Sequence, residues 1–92
     1  MIKHHENKKK GEFVLLRDGV EVGKMTYSKT GQSKIIIDHT EVKEPFRNTG
    51  AGRELVEYGV EWARNNNLKV LPLCPFAKNL IERDPDLQDV LS

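Results

Sequence analysis

The sequence predicts an α/β (α+β) fold, in which a mixed and mostly antiparallel sheet forms in the order β-β-β-α-β-α. Three observations support this prediction. The tight-turn dipeptide Asp18-Gly19 joins two β-favouring runs. After Pro45 the hydrophobic period changes from two residues to about 3.6, which indicates a helix behind the strands. A further short apolar run, KVLPLCPF, follows that helix and predicts another strand.

The first half of the chain is predicted to be an antiparallel meander. The segment FVLLRDGVEVGKMTY forms a hairpin around Asp18-Gly19, because this dipeptide readily adopts positive φ in a two-residue turn. A turn near Gly31 leads into a third strand through Ile35 to Ile37, which runs on towards Val42. No helical segment separates these strands.

In the segment MIKHHENKKKGEF, the lysine run before Gly11 is interpreted as a solvated turn or a frayed end. This run, residues 8 to 10, could attract a phosphate, but solvation is the simpler reading. The adjacent His4 and His5 do not predict a metal site, since side chains at consecutive positions diverge and no ligand partner stands at a suitable spacing.

A long amphipathic helix is predicted after Pro45. One face carries Leu55, Val56, Gly59, Trp62 and Ala63. The asparagine run at residues 65 to 67 ends this helix, because asparagine tolerates the left-handed conformation that closes helices.

The remaining segments are short. In the strand KVLPLCPF, Pro72 cannot donate a ladder hydrogen bond, so it belongs at a sheet edge or where neighbouring strands part. A short helix is expected around residues 77 to 83. The pair Asp84-Pro85 then predicts the N-cap and first residue of a last helical turn.

Composition limits the possible functions. A chain of 92 residues that is 37% hydrophobic suits a single small domain, residues 1 to 92. The formal charge of +1 does not favour nucleic-acid binding. Cys74 is the only cysteine, so no internal disulfide can form. No apolar run is long enough for a signal peptide or a membrane span, and a soluble cytoplasmic protein without a membrane partner is expected.

The segment before the long helix is the main candidate binding site. Residues 47 to 52 read RNTGAG and leave backbone N–H groups free at a helix start, which favours an anion such as a phosphate. A Walker loop is excluded because no Lys-Ser or Lys-Thr follows, and Leu55 stands where a dinucleotide fingerprint needs its third glycine. From these residues alone, a phosphate site and a merely tight turn remain equally open.

A resemblance adds to this reading. The pattern Arg47-x-x-Gly50-x-Gly52, between a strand and a long helix, resembles the acetyl-coenzyme A signature of the GNAT superfamily of N-acetyltransferases. The stretches HTEV, TGAGRELV, LPLCPF and RDPDLQDVL together are similar to very small, single-domain members of that superfamily. They cover roughly residues 38 to 91.

The resemblance implies acetyl-coenzyme A as the cofactor. It implies strands that splay apart around the pantetheine arm, with the Val42 backbone against that arm. It also implies that the pyrophosphate lies on a loop formed by Arg47, Asn48, Thr49, Gly50, Ala51 and Gly52.

Two departures from larger members concern the acceptor. Those members place helices between their first two strands, whereas Asp18-Gly19 joins the strands directly here and leaves the acceptor side open. They also often use a tyrosine acid after the last strand of the motif, where this chain has only Phe76, expected to be a core or cofactor-flanking ring.

The candidate catalytic residues are Glu41, His39 and Cys74. Glu41 lies at the end of the strand that faces the expected thioester, and it is either a proton acceptor with a pKa raised by burial or a surface glutamate. His39 could do the same work, or be a half-buried structural histidine. Cys74 is either inert core or a site residue. Its apolar surroundings predict a neutral thiol that protonates the departing thiolate and carries no acetyl group.

These inferences predict an N-acetyltransferase that moves an acetyl group from acetyl-coenzyme A to an amine, on an exposed protein lysine or a chain terminus. The alternative is a coenzyme A-binding or protein-interaction module with little or no turnover, because no complete acid and base pair is visible. The sequence names neither the acceptor nor the oligomeric state.

Overall fold

A computed structural model describes the whole chain, residues 1 to 92. The elements in chain order are β1 (Ile2–Glu6), β2 (Lys10–Arg17), β3 (Val20–Thr30), β4 (Lys34–Val42), a 3-10 helix (Glu44–Phe46), α1 (Ala51–Asn65), β5 (Lys69–Pro72), α2 (Pro75–Arg83) and a second 3-10 helix (Pro85–Val90). None of the helices is long and apolar enough to cross a membrane.

The five strands form one sheet in the order β1-β2-β3-β4-β5. The first three pairings are antiparallel, and β4 pairs with β5 in parallel, with α1 as the crossover between them. The sheet is therefore mixed and mostly antiparallel, and the predicted fold class is confirmed with one further strand, β1, ahead of the predicted hairpin.

The predicted turns are present. Asp18 and Gly19 both have positive φ, at 52° and 78°, and Arg17 pairs with Val20 across them. This is the geometry of a two-residue hairpin whose twist matches that of the strands. Gly31, with φ at 64°, closes the next turn before β4. Asp84 caps the last 3-10 helix, as its side chain accepts a hydrogen bond from the amide of Asp86.

β1 is a strand that the predicted element order lacked. It pairs with β2 over its full length, from Ile2 opposite Leu15 to Glu6 opposite Gly11. Its inward residue, His4, stacks on Phe13 with the ring centres 4.3 Å apart. Only the connection to β2 is the exposed turn that the lysine run predicted.

The core is one continuous cluster of buried side chains. They come from the sheet, both α-helices and the last 3-10 helix. The buried face of α1 includes the predicted Leu55, Val56, Gly59 and Ala63, while Trp62 packs at the margin of the cluster.

The strands β4 and β5 part halfway along β4. Their pairing ends at Ile37 opposite Pro72, and the amides of Leu73 and Cys74 then both donate to the Ile37 carbonyl, each at 3.1 Å. β4 continues to Val42 with β3 as its only partner. Pro72 therefore lies on the edge strand at the last pair before the parting, as its missing N–H predicted.

A β-bulge lies at the same point. Tyr27 pairs with Ile37 and Thr26 with His39, so Asp38 is an extra residue in β4. A bulge bends its strand and locally disrupts the ladder. Here it also changes which side chains face the core, because the alternation shifts by one residue beyond Ile37.

Candidate functional site

The parting strands open a cleft of about 760 Å³ between the end of β4, the loop before α1 and the start of α2. It is lined by His39, Thr40, Glu41, Val42, Phe46, Arg47, Asn48, Gly50, Ala51, Gly52, Arg53, Phe76 and Leu80. The cleft therefore joins the RNTGAG loop to the free edge of β4. Most of the residues predicted to bind the cofactor lie in its wall.

The loop presents unpaired amide groups to the cleft. Gly50 is the N-cap of α1, with φ at 84° and no side-chain cap bond. The first helical hydrogen bond runs from the amide of Glu54 to the Gly50 carbonyl at 3.0 Å. The N–H groups of residues 51 to 53 precede that bond and have no partner within the helix, so they form the positive end of its dipole.

Phe76 covers the start of α1. A Cβ atom at Gly52 would lie 2.6 Å from the Phe76 ring, so only glycine permits this approach. Phe76 remains 46% exposed and lines the cleft, so it is not a core residue.

Arg47 and Thr49 play different parts in the loop. Arg47 lines the cleft, has no carboxylate within 4 Å, and donates from Nε to the Val42 carbonyl at 3.4 Å. Thr49 does not line the cleft, because its Oγ1 donates to the Phe46 carbonyl at 2.5 Å and accepts from Arg17 at 2.9 Å. Thr49 thus holds the loop in shape from behind.

The sequence analysis missed two residues. Arg17 supports the loop through Thr49, and Arg53 lines the cleft. Arg17 lies at the end of β2 and also reaches Glu54 of α1 at 3.3 Å. Arg53 lines the cleft but is already bonded to Glu57 and Asp84, at 3.0 and 2.7 Å. No local pattern marks the bonds from Arg17 to Glu54 and from Arg53 to Asp84, because the partners lie 37 and 31 positions away. Only the i,i+4 pair of Arg53 and Glu57 is a local pattern.

His39 and Glu41 point into solvent at the mouth of the cleft. Their side chains share one face of β4, with Nε2 and Oε2 3.9 Å apart, and they are 65% and 59% exposed. Burial of Glu41, on which its predicted role relied, is therefore absent, and His39 is not half-buried. The bulge at Asp38 is the reason, because it turns residues 39 and 41 outward where regular alternation from Ile37 would turn them inward.

Cys74 lies behind the cleft wall. Its side chain is buried, and the residue is the N-cap of α2. Thr40 and Phe76, which adjoin its sulfur, both line the cleft, whereas Cys74 does not. Cys74 is therefore close to the site without being part of its surface.

The electrostatics of Cys74 differ from the prediction of a thiol governed by burial. Burial raises the pKa of the Cys74 thiol, but the amides of Ala77 and Phe76 and the Thr40 hydroxyl outweigh it, so the pKa lies below its usual value. These donors approach the sulfur without reaching full hydrogen-bond geometry, since Cys74 forms no side-chain cap bond and Thr40 Oγ1 has no partner. The start of α2 supplies these amides, which the prediction for the Cys74 thiol did not take into account.

β1 lies at the opposite edge of the sheet from β5, so its histidines are remote from the cleft. The two side chains diverge, as expected. His4 points to the aromatic core margin and His5 to solvent. No group of three or more histidine, cysteine, aspartate or glutamate side chains is placed to hold a metal ion.

Comparison with known proteins agrees with this geometry. Residues 12 to 90 match the family model of GCN5-related N-acetyl-transferases. A GCN5-like protein from Staphylococcus aureus, assigned as an N-acetyltransferase, is 34% identical and has a TM-score of 0.76. That match covers 100% of this chain and 87% of the S. aureus chain. A search of curated protein sequences gives no match.

More distant structures share the fold alone. A ribosomal-protein-alanine N-acetyltransferase from Brucella melitensis is 20% identical with a TM-score of 0.72, and the match covers 84% of this chain and 62% of that enzyme. A Bacillus anthracis protein assigned as a streptothricin acetyltransferase, in complex with acetyl coenzyme A, is 18% identical with a TM-score of 0.62. That match covers 72% of this chain and 38% of that one.

The family model spans most of the chain, and the S. aureus protein matches it from end to end. The parted strands, the glycine-containing loop and the helix behind it occupy the matched region. The chain therefore belongs to the GCN5-related N-acetyltransferase family.

Proposed function

We propose that residues 1 to 92 act as one unit that binds acetyl-coenzyme A in the cleft and transfers its acetyl group to an amine. The observation that carries this proposal is the juxtaposition of a free strand edge, uncapped helix amides and an unpaired arginine around one cleft. The B. anthracis relative, whose structure contains acetyl coenzyme A, supports the choice of cofactor.

The loop would hold the pyrophosphate of the cofactor. The amides at Gly50, Ala51 and Gly52 and the backbone of Asn48 offer donors beside the positive end of α1. Arg47 adds a full positive charge that no carboxylate neutralises. Thr49 would contribute by keeping the loop in this conformation, through its bonds to Phe46 and Arg17.

The pantetheine arm would lie along the free edge of β4. The backbone groups of this edge, towards Val42, have lost β5 as a partner, so they are available to amide groups of the arm. The thioester would then lie near residues 39 to 41, where the two strands part.

Acetyl transfer in this site needs two proton movements. Bound acetyl-coenzyme A would supply the thioester, whose C–S bond would break as the amine nitrogen attacks the carbonyl carbon, with coenzyme A thiolate as the leaving group. Glu41, with His39 beside it, would accept the proton of the amine directly or through water. Cys74 would give its proton to the departing thiolate, which a lowered thiol pKa favours, and would regain it from solvent.

The acceptor is proposed to be an exposed lysine or a chain terminus of a protein. β1 and β2 are joined by the short turn of residues 7 to 9, and β2 and β3 by a two-residue hairpin, so no helix stands between the first three strands to cover the acceptor side. An open site admits a large acceptor and offers few walls with which to select a small one.

Calorimetric titration with acetyl-coenzyme A and coenzyme A tests the cofactor assignment. Arg47→Gln should weaken both affinities about tenfold, which is typical for loss of a bond to a charged group. Arg83→Gln removes the same charge at the exposed end of α2 and should leave binding unchanged. Absence of binding to the unmodified protein would overturn the assignment.

A binding module without turnover remains the second candidate, because His39 and Glu41 are both exposed and α2 carries no tyrosine. Mass spectrometry of lysine-containing peptides incubated with protein and acetyl-coenzyme A separates the two. Acetylated peptide above the spontaneous background supports the enzyme, whereas tight binding without product supports the module.

A further inference from the structure

Thr40 carries a buried hydroxyl that nothing in the fold satisfies. Its Oγ1 is the one buried side-chain nitrogen or oxygen without a hydrogen-bond partner. Buried polar atoms in proteins are nearly always paired, so an exception points either to stored strain or to a functional role.

The bulge in β4 explains how this hydroxyl came to face inward. Ile37 pairs with Tyr27 and Thr40 with Met25, two residues whose side chains are fully buried in the core. Without the extra residue Asp38, alternation from Ile37 would place residue 40 on the outer face. The same distortion that exposes residues 39 and 41 thus turns Thr40 inward.

The parting of the strands brings Cys74 to that hydroxyl. The Cys74 amide donates to the Ile37 carbonyl at 3.1 Å, which anchors the start of α2 beside β4 at the bulge. Both the side chain and the backbone of Thr40 act on the Cys74 sulfur. Thr40 also lines the cleft, so it adjoins both the sulfur and the space proposed for the thioester.

We propose that the Thr40 hydroxyl donates a hydrogen bond to the Cys74 sulfur when the thiol gives up its proton, and is thus a positioning residue for acetyl transfer. This inference rests on the role of Cys74 in the proposed function. While the thiol is neutral, sulfur is a weak acceptor and the hydroxyl remains unsatisfied. When the proton moves to the departing coenzyme A thiolate, the hydroxyl gains a charged acceptor, which is the stronger kind of hydrogen bond.

The groups that surround the sulfur are mainly neutral. The amides of Ala77 and Phe76 approach it from the start of α2, and Thr40 approaches it from β4. The charged side chains of the adjoining segments are exposed and face water: His39, Glu41, Arg53 and Lys78. The titration of Cys74 therefore reports chiefly on these neutral donors.

The test measures the thiol directly and does not depend on acetyl transfer. Because Cys74 is the only cysteine, the pH dependence of ultraviolet thiolate absorbance reports this residue alone, with Cys74→Ser as the blank. We expect Thr40→Val to shift the titration to higher pH and to reduce the thiolate fraction near neutrality about tenfold, as loss of one bond to a charged group implies. Thr40→Ser, which keeps the hydroxyl, should titrate like the unmodified protein.

A second measurement guards against a merely structural effect. Thr40→Val removes an unsatisfied buried polar atom and should raise the melting temperature, while Thr26→Val on the neighbouring strand should leave the thiol titration unchanged. An unchanged Cys74 titration in folded Thr40→Val would overturn the inference. A shifted titration in a protein that does not transfer acetyl groups would keep the Thr40 contact and remove only the proposed function.

Discussion

At the scale of single residues, one inserted residue decides the chemistry of the site. Asp38 has its own local role, since it accepts a hydrogen bond from Ser28 at 2.7 Å. Its larger effect is to reverse the facing of the next residues, so that the Glu41 side chain is exposed and the Thr40 hydroxyl is buried. A solvent-exposed proton acceptor does not depend on a special environment, but water competes with it for the proton of the amine.

Loss of the Glu41 carboxylate should be measurable as a lower rate of acetyl transfer. We expect Glu41→Gln to slow acetyl transfer about 100-fold, the lower end of the usual range for a general base, because water can partly replace an exposed carboxylate. The loss should shrink as pH rises and the amine deprotonates unaided. Coenzyme A affinity should stay the same, which separates kcat from binding in steady-state kinetics.

His39→Ala is the matched control, because His39 lies beside Glu41 at the mouth of the cleft. If this variant loses more activity than Glu41→Gln, the histidine is the acceptor and the carboxylate only orients it across their 3.9 Å separation. Full activity in both variants would show that the amine is deprotonated elsewhere.

At the scale of elements, β1 is attached to the fold through a histidine. His4 Nε2 lies 2.5 Å from the Tyr27 hydroxyl and 3.2 Å from Glu6, and Glu6 in turn pairs with Lys29 at 2.8 Å. The imidazole packs edge-on against Trp62 with ring centres 4.7 Å apart. The strand is thus held by its ladder to β2, by aromatic contacts and by one polar network.

This attachment predicts a loss of stability in mild acid. Burial lowers the pKa of His4 and exceeds the opposing influence of Glu6. The folded state therefore binds a proton less readily than the unfolded state, and the stability contributed by neutral His4 is lost as pH falls below the usual histidine pKa of 6.5. We expect the melting temperature to fall by a few degrees between about pH 7.5 and 5.5.

His4→Gln should flatten that pH dependence, whereas His5→Gln, on the exposed side of the same strand, should retain it. Hydrogen exchange gives the local reading, since the β1 amides should lose protection first. A pH dependence that survives in His4→Gln would assign the effect to other groups.

At the scale of the whole molecule, no helix stands between the first three strands. The match to the B. melitensis enzyme covers 62% of that protein, and the match to the B. anthracis protein covers 38%. This chain leaves β2 and β3 joined by a tight turn. We therefore expect peptides and intact proteins with exposed lysines to be acetylated more efficiently than small polyamines or aminoglycosides, compared by kcat/KM under equal conditions. Selective turnover of one small amine would contradict this expectation.

Many elements of the fold could be predicted because local interactions determine the backbone conformation where the residue pattern is regular. The period of α1, the positive φ of Asp18 and Gly19, and the edge position of Pro72 all follow from properties of the residues themselves. The RNTGAG loop was predicted on the same basis, since free amides at a helix start need no distant partner.

The tertiary structure decided what depends on residues far apart in the chain. β1 escaped prediction because IKHHE has little strand character until Phe13, Tyr27 and Trp62 surround its histidine. The facing of Glu41, the lowered pKa of Cys74 and the meeting of Cys74 with Thr40 all required the bulge in β4 and the parting of β5. The sequence by itself thus determined the family and the elements other than β1, through periodicity, turn chemistry and motif. Only the folded sheet determined which side chains meet at the site, because one extra residue in a strand reverses every facing that follows it.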